Sequence, residues 1–535
     1  NTVKAVNGEE SALIPSHKIK TKYSYNSLNQ LVWQKTPDGG ETYFAYDALG
    51  RIIASQNAKQ AINELDGEKG KHQFSYTRYD TLGRIIEAGE IENKNDFSLG
   101  EYKINENGNL LFQGNPVNGF DDLYPQLLKR EVTITVYDKM LPNKELLFED
   151  YANNDRNRVT AVTYIDELIG VWDPNTPVFN NAIYYNYDIH GNVNEMITEI
   201  KNTNLESLGH SIKKVQYHYD LISGNVNKVV CQKNKKDQFI HKYNYDEDNR
   251  ITNVTTSRDG IIWENDASYQ YYEHGPLARV LIGDIQVQGM DYVYTLQGWL
   301  KGVNSNILNP NEDIANDGIA NSNVARDAFG FTLSYFNNDY KARNSSTHPF
   351  AKSESVNETA PGLMNGNIRG MTTALMDENE KELNLAFNSY KYDQLNRIKA
   401  MQNQETNYKG SGALISGISA SYDYDRNGNL QNLTREGFYK DGVETMDKLS
   451  YKYNLDTEND LVNNQLQIVH DNAGNSTLFD NDIEDHKYEY KYDEIGQLTQ
   501  DLDENIKDIA WRVDGKVASI YKTDGLVINF GYDGL

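Results

Sequence analysis

The sequence predicts an all-β fold of tandem β-hairpins added one after another along a growing sheet. Three observations carry this prediction. A short Tyr-Asp unit recurs along the chain. Tyrosines alternate with polar residues just before each copy, as in Tyr243-Asn244-Tyr245 and Tyr488-Glu489-Tyr490-Lys491-Tyr492, which is the period of two expected of a half-buried strand. Helix signals are scarce. Tyrosine is also the dominant aromatic, with 38 Tyr against 16 Phe and 5 Trp in 535 residues. A chain this aromatic and poor in proline lacks the signature of disorder.

The unit is clearest at Tyr46-Asp47-Ala48-Leu49-Gly50-Arg51-Ile52 and at Tyr79-Asp80-Thr81-Leu82-Gly83-Arg84-Ile85. Further copies are Tyr187-Asp188-Ile189-His190-Gly191-Asn192-Val193, Tyr245-Asp246-Glu247-Asp248-Asn249-Arg250-Ile251 and Tyr392-Asp393-Gln394-Leu395-Asn396-Arg397-Ile398. Tyr424-Asp425-Arg426-Asn427-Gly428-Asn429-Leu430 and Tyr492-Asp493-Glu494-Ile495-Gly496-Gln497-Leu498 obey the same rule. Tyr25 to Leu31 is a weaker version, Tyr219 to Val226 carries one extra residue, and Tyr532-Asp533-Gly534-Leu535 opens another.

Each copy reads as the turn of a hairpin. The aspartate can accept hydrogen bonds from backbone N–H groups further along and so start the turn. Three residues later stands Gly, where positive φ reverses the chain, or Asn29, Asn249 or Asn396, the side-chain type that best tolerates that conformation. This exchange of Gly for Asn points to a turn rather than a ligand loop. Arg51, Arg84, Arg250 and Arg397 then begin the return strand, placed to pair with neighbouring acids or to lay their stems on tyrosines. The copies are unevenly spaced, so hairpins of varied length are expected rather than the equal rungs of a solenoid.

Tyr269 to Val280, Asp291 to Val303 and Ile509 to Tyr521 read as strand pairs without the full signature, with Asp514-Gly515 and Asp524-Gly525 as turn dipeptides. Asn304 to Asp327 and Lys341 to Gly366 read as exposed loops or inserts. Asp96 to Pro125 and Pro142 to Pro177 are weakly patterned, and Asp122 to Lys129 is compatible with a short helix.

Composition excludes several classes. The single cysteine, Cys231, forms no intrachain disulfide or thiolate-rich zinc site, and it reads as a small buried hydrophobe. No stretch approaches the ~18–20 apolar residues of a membrane-spanning helix. The sequence opens on Asn1 without a targeting pattern, and such a segment would lie upstream. A net charge of −26 opposes binding to nucleic acid.

Candidate chemical sites fare poorly against the turn reading. Asp423 to Gly428 matches the start of a calcium-binding EF-hand loop, but the twelfth position, where a bidentate Glu belongs, is Thr434, and the repeat already explains the segment. Acid pairs at glycosidase-like separation are expected by chance among 78 carboxylates. The histidines, including His190, His218 and His241, are dispersed without zinc-protease spacing. No nucleophile elbow, phosphate loop or dinucleotide fingerprint is present. The expectation is therefore a non-enzymatic chain with no catalytic residue, cofactor or metal.

The tandem Tyr-Asp-x-x-Gly-Arg-Ile unit resembles the YD repeats of the Rhs family, which also occur in the C component of insecticidal toxin complexes and in teneurins. The resemblance runs from about Lys20 to Leu535, and Tyr292 to Gly302, Tyr335 to Tyr340 and Asn365 to Ile368 are similar to the Bacteroidota version. It implies a long sheet that spirals into a hollow shell enclosing a cytotoxic C-terminal domain. A thin wall wetted on both sides suits tyrosine, with its apolar body and polar tip. The family's self-cleaving core, with aspartates near an Asp-Pro-x-Gly-Leu boundary, has no match in this sequence. Residues 1–19 are then a connector or the entry to the shell, 20–303 and 367–535 two parts of the shell, and 304–366 an insert of loops with an intervening strand. The implied role is structural, in a secreted or surface-exposed polymorphic toxin. Its partners would be its own C-terminal domain and secretion machinery such as a type IX translocon. The alternative is a teneurin-like adhesin that binds glycans or a target-cell surface, and a carbohydrate-active enzyme is a minor third.

Overall fold

The structure is a computed structural model that describes residues 2–6, 9–13, 19–62, 72–93, 102–112, 114–117, 128–342, 350, 361–383, 385–406, 415–439, 442–474, 479, 483 and 485–532. Strands take up 51% of the chain and helix 3%, and 26 strands join in one long antiparallel sheet, so the all-β prediction holds. Strands that follow one another along the chain are mostly neighbours in this sheet, and Ile85–Asn93 passes over three short strands to pair with Leu128–Tyr137. Gly40–Tyr46 pairs with Ile52–Gln56, His72–Tyr79 with Ile85–Asn93, Phe239–Tyr245 with Ile251–Ser257 and Leu385–Tyr392 with Ile398–Thr406.

One local device builds the hairpins. Tyr46 faces Ile52 across the ladder after a register shift, and two backbone bonds, Gly50 N–H to Asp47 carbonyl at 3.0 Å and Asp47 N–H to Arg51 carbonyl at 2.9 Å, close the turn between them. Gly50 has φ of 80°. This is a type I turn followed by a left-handed bulge residue, which turns a strand while keeping its twist. The shift recurs at Tyr79, Tyr187, Tyr245, Tyr392, Tyr424 and Tyr492.

The chain divides into two compact units, Asn1–Lys214 with Lys452–Val469 and His486–Leu535, and Val215–Tyr451 with His470–Asp485. In the first unit the later hairpins dock on the earlier ones. Both carboxylate oxygens of Asp38 accept from Asn464, at 2.5 Å from its backbone N–H and 2.9 Å from its amide, and Lys59 reaches Asp493 at 2.8 Å. The Arg512 guanidinium lies 4.9 Å from the ring centroid of Tyr164. Two apolar clusters form where extra chain covers the sheet. One gathers Ala45, Ile53, Phe74 and Ile91 under Leu110, which a small sheet of Tyr102–Ile104, Leu110–Phe112 and Asn115–Pro116 brings in. The other packs Met140, Leu141 and Phe148 against Val132, Ala161, Tyr184 and Ile197. The weakly patterned stretch after Pro142 thus begins as a cover over sheet residues.

Two sequence expectations are corrected. Lys129 is not helical but lies in the strand Leu128–Tyr137, fully buried and paired at 2.8 Å with Glu87; the rest of the suggested helix, 122–127, lies outside the described residues. In the second unit, Asn304 to Asp327 is not an exposed loop. Ser305, Asn306, Ile307, Leu308, Asp313, Asp317, Val324 and Asp327 are buried, because the segment folds back on the strands Gln288–Tyr294 and Leu300–Val303 and turns its polar groups inward. Most of the second suggested insert, 343–349 and 351–360, lies outside the described residues, as do Asp533, Gly534 and Leu535.

Candidate functional site: hairpin clamps and a buried carboxylate cluster

The signature residues act on each other within a hairpin and between hairpins. Within the turn, Asp47 Oδ1 accepts from the backbone N–H of Leu49 and of Arg51, both at 2.9 Å, while Oδ2 accepts from Arg51 Nε at 2.7 Å. Asp80 with Arg84, Asp246 with Arg250 and Asp393 with Arg397 repeat the pattern, with Nε to Oδ2 distances of 2.7, 2.8 and 2.6 Å. Where arginine is absent an amide substitutes. Asp188 takes Asn192 and Asp425 takes Asn429, each at 2.9 Å. Asp493 accepts from the backbone of Gln497 at 2.8 Å. The left-handed position is Gly83, Gly191, Gly428 or Gly496, or Asn29, Asn249 or Asn396 at φ of 60 to 63°.

Between hairpins, each arginine lies over the tyrosine of the next one. The Arg51 guanidinium is 4.4 Å from the Tyr79 ring centroid, Arg250 is 4.6 Å from Tyr271 and Arg397 is 4.8 Å from Tyr424. The tyrosine in turn donates its hydroxyl to the carbonyl just after an arginine of the preceding hairpin. Tyr79 bonds Ile52 at 3.0 Å, Tyr187 bonds Val159 at 2.6 Å and Tyr271 bonds Ile251 at 2.8 Å. Tyr46 to Leu31, Tyr245 to Val226, Tyr392 to Ile368 and Tyr492 to Leu466, all at 2.8 Å, make equivalent bonds to an earlier part of the chain. Phenylalanine could fill the same space but would leave these carbonyls without that donor, which accounts for the excess of tyrosine over phenylalanine. Burial pushes the phenols of Tyr46, Tyr79, Tyr245 and Tyr392 up, so they stay neutral donors.

The turns also include members the Tyr-Asp pattern misses. Arg84 lies 4.3 Å from the ring centroid of Tyr137 and 2.6 Å from Asp138. Arg158, which follows Asn157 at φ of 61°, faces Tyr187. Asn105 to Asn109, Asp377 to Lys381 and Asp456 to Asp460 close in the same way through one side-chain oxygen. The legible signal there is Asp or Asn with a left-handed residue three positions on, with no tyrosine before it.

The calcium-like stretch is a turn. Asp425 Oδ1 accepts from the backbone of Asn427 and Asn429, both at 2.8 Å, and Asp423 pairs with Lys399. Asp456, Glu458 and Asp460 come together in another turn and are largely exposed. Cys231 is half-buried rather than buried, and burial pushes its thiol up, away from the nucleophilic thiolate.

A third arrangement lies inside the second unit. Arg279 and Asp291 sit opposite one another on the paired strands Leu277–Ile282 and Gln288–Tyr294. Arg279 Nη1 meets both oxygens of Asp291 at 2.8 and 2.7 Å, and Nη2 meets Oδ1 of Asp317 at 2.5 Å. Asp313 accepts the backbone N–H groups of Ala315 and Asp317. Oxygens of Asp291, Asp313 and Asp317 lie within 4.8 Å of one another. Asp327 stands against Asp313 at the edge of this group. Burial, then the neighbouring carboxylates, pushes the Asp327 carboxyl well above the usual range, and burial raises Asp291 to about 6. Of these four buried carboxyl groups the Arg279 guanidinium pairs with two, Asp291 and Asp317.

No protein-family model and no curated protein matches the chain. Among solved structures, the pore of the Photorhabdus luminescens Tc holotoxin is similar over 94% of this chain and 19% of that chain, at 11% identity and a TM-score of 0.51. The TcdB2–TccC3 structure without its hypervariable C-terminal region covers 93% of this chain and 26% of that chain, at 12% identity and a TM-score of 0.42. The chain spans about a fifth to a quarter of the length of these structures. At such identity the likeness is one of fold, and what it establishes is that this hairpin-built sheet is folded like part of the Tc toxin assembly.

Proposed function

We propose that the chain is a wall segment of an encapsulating shell in a longer, secreted or surface-exposed toxin-type protein, and that it sequesters an effector domain rather than catalysing a reaction. The observation that supports this most directly is the hairpin-to-hairpin clamp. It extends the sheet by using each turn to hold the next, so the sheet grows sideways without a thick aliphatic core beneath every strand. Outside the two covered patches of the first unit, many strand side chains are only half-buried, as a wall with solvent on both sides requires. The likeness to the Tc holotoxin pore supports the same reading at the level of fold. The effector and a secretion apparatus would be its partners. Electron cryo-microscopy of the purified chain tests the reading. A wall of hairpins around a void is the expected result, and a particle filled by its own side chains overturns it. In the natural full-length protein, protection of the following domain from added protease is expected while the wall is intact.

A further inference from the structure

We propose that Asp291, Asp313 and Asp317, with Asp327 beside Asp313, form a binding site for one calcium ion that staples the segment 304–328 to the sheet. The four side chains come from different places in the chain. Asp291 projects from the strand Gln288–Tyr294, Asp313 and Asp317 lie within the connection between Leu300–Val303 and Phe329–Ser334, and Asp327 stands where that connection returns. They are only 2, 5, 1 and 4% exposed. Burying anions at this density costs several kcal/mol for each one left uncompensated.

Arg279 supplies one positive charge and spends it on Asp291 and on one oxygen of Asp317. Among the described residues, Oδ2 of Asp317 meets no donor and the oxygens of Asp327 meet none beyond the Asp313 carboxyl, an expensive arrangement for a buried carboxylate. Space has been kept for it. A Cβ on Gly289 would fall on Oδ2 of Asp317 and on the Arg279 guanidinium. Asn304 fixes the strand side by accepting from the Asp291 N–H at 2.8 Å and donating to the Phe329 carbonyl at 3.0 Å.

The donor set selects the ion. It holds oxygen only, with neither imidazole nor thiolate, which favours a hard cation over zinc or copper. Several anionic oxygens in a site this dry suit calcium, which accepts six to eight irregularly placed oxygens. Magnesium keeps much of its water and demands a small octahedron.

Isothermal titration of CaCl2 into the full chain, after chelator treatment and exchange into chelator-free buffer, tests this. One equivalent bound per chain is expected, with a melting temperature that rises with calcium concentration. MgCl2 should bind at least tenfold more weakly. Asp317→Asn keeps the shape of the side chain and should lower calcium affinity at least tenfold, whereas Asp423→Asn, in the stretch that only resembles a calcium loop, should leave it unchanged. Absence of stoichiometric binding to the unsubstituted chain overturns the proposal, whether or not the variant folds. So does equal affinity for magnesium, an Asp317→Asn chain that binds as tightly as the parent, or loss of binding in Asp423→Asn.

Discussion

The guanidinium of Arg51 lies 4.4 Å from the ring centroid of Tyr79 while its other edge is held 2.6 Å from Asp47. One arginine therefore ties its own turn to the next hairpin, and the Tyr79 hydroxyl returns the tie by bonding the Ile52 carbonyl. Because the two contacts share a ring, their loss should be non-additive. Tyr79→Phe should cost about 1 kcal/mol, the net value of one hydrogen bond. Arg51→Ala should cost about 1–2 kcal/mol through its ion pair and cation–π contact. Urea denaturation of Arg51→Ala, of Tyr79→Leu and of their double variant measures the coupling, and strict additivity would refute a shared clamp.

The turn aspartates should make the protein sensitive to acid. Desolvation alone would raise the Asp47 carboxyl, but the backbone and guanidinium of Arg51 with the Leu49 N–H outweigh it and hold it below the usual range. Asp80 and Asp393 follow the same pattern, and Asp246 is lowered chiefly by the Arg250 backbone. Stability from a carboxylate depressed on folding is fully present above its unfolded value, about 4, and is lost as pH falls through the folded value. Melting temperature should thus drop steeply below about pH 4. Asn26 shows that an amide oxygen can make the same turn bonds, at 3.0 Å to Leu28 and Gln30. Asp47→Asn should then be less stable at pH 7 and show a shallower acid slope.

The left-handed turn position should discriminate by conformation. Gly83 stands at φ of 82° and Asn249 at 60°. Gly83→Val should cost roughly 1–2 kcal/mol, because a β-branched side chain clashes with its own backbone there. Asn249→Gly should change stability by about 0.5 kcal/mol or less. Thermal denaturation of the pair checks this, and equal losses would mean that packing rather than φ governs the site.

Lys129 is wholly buried, and desolvation lowers its ammonium pKa despite the nearby Glu87. Lys129→Met should destabilise by about 3–5 kcal/mol, since Glu87 is left buried with Tyr76 and Arg78 as its remaining partners. The double variant Lys129→Met/Glu87→Gln should recover a large part of that loss. A double variant as unstable as the single one would show that side-chain volume, not charge, is what the site requires.

Much of the hairpin architecture was legible in the sequence because its determinants are local. An aspartate oxygen that bonds the second and fourth residues after it, and a glycine or asparagine three residues on, act within one five-residue window. The turn Asp456 to Asp460, with Asn459 at φ of 64°, escaped because no tyrosine precedes it, and Asp377 to Lys381 also because its left-handed residue is Glu380. The partners across hairpins were not legible. Nothing in the spacing of Tyr245, Asp246 and Arg250 reveals that Arg250 stacks on Tyr271 or that Tyr245 bonds Val226, since hairpin length varies from one copy to the next.

By itself the sequence determined that the chain is all-β, where many of its turns fall, and that tyrosines stand at the strand ends that enter them. The tertiary structure alone decided what those tyrosines hold and which polar segments are buried. Asn304 to Asp327 has the composition of a solvated loop, yet it is folded inward with Asp313, Asp317 and Asp327 beside Asp291. The physical reason is range. A turn is fixed by bonds between residues a few positions apart, whereas burial of a charge depends on which distant strands supply its neighbours, and that follows only once the sheet has assembled.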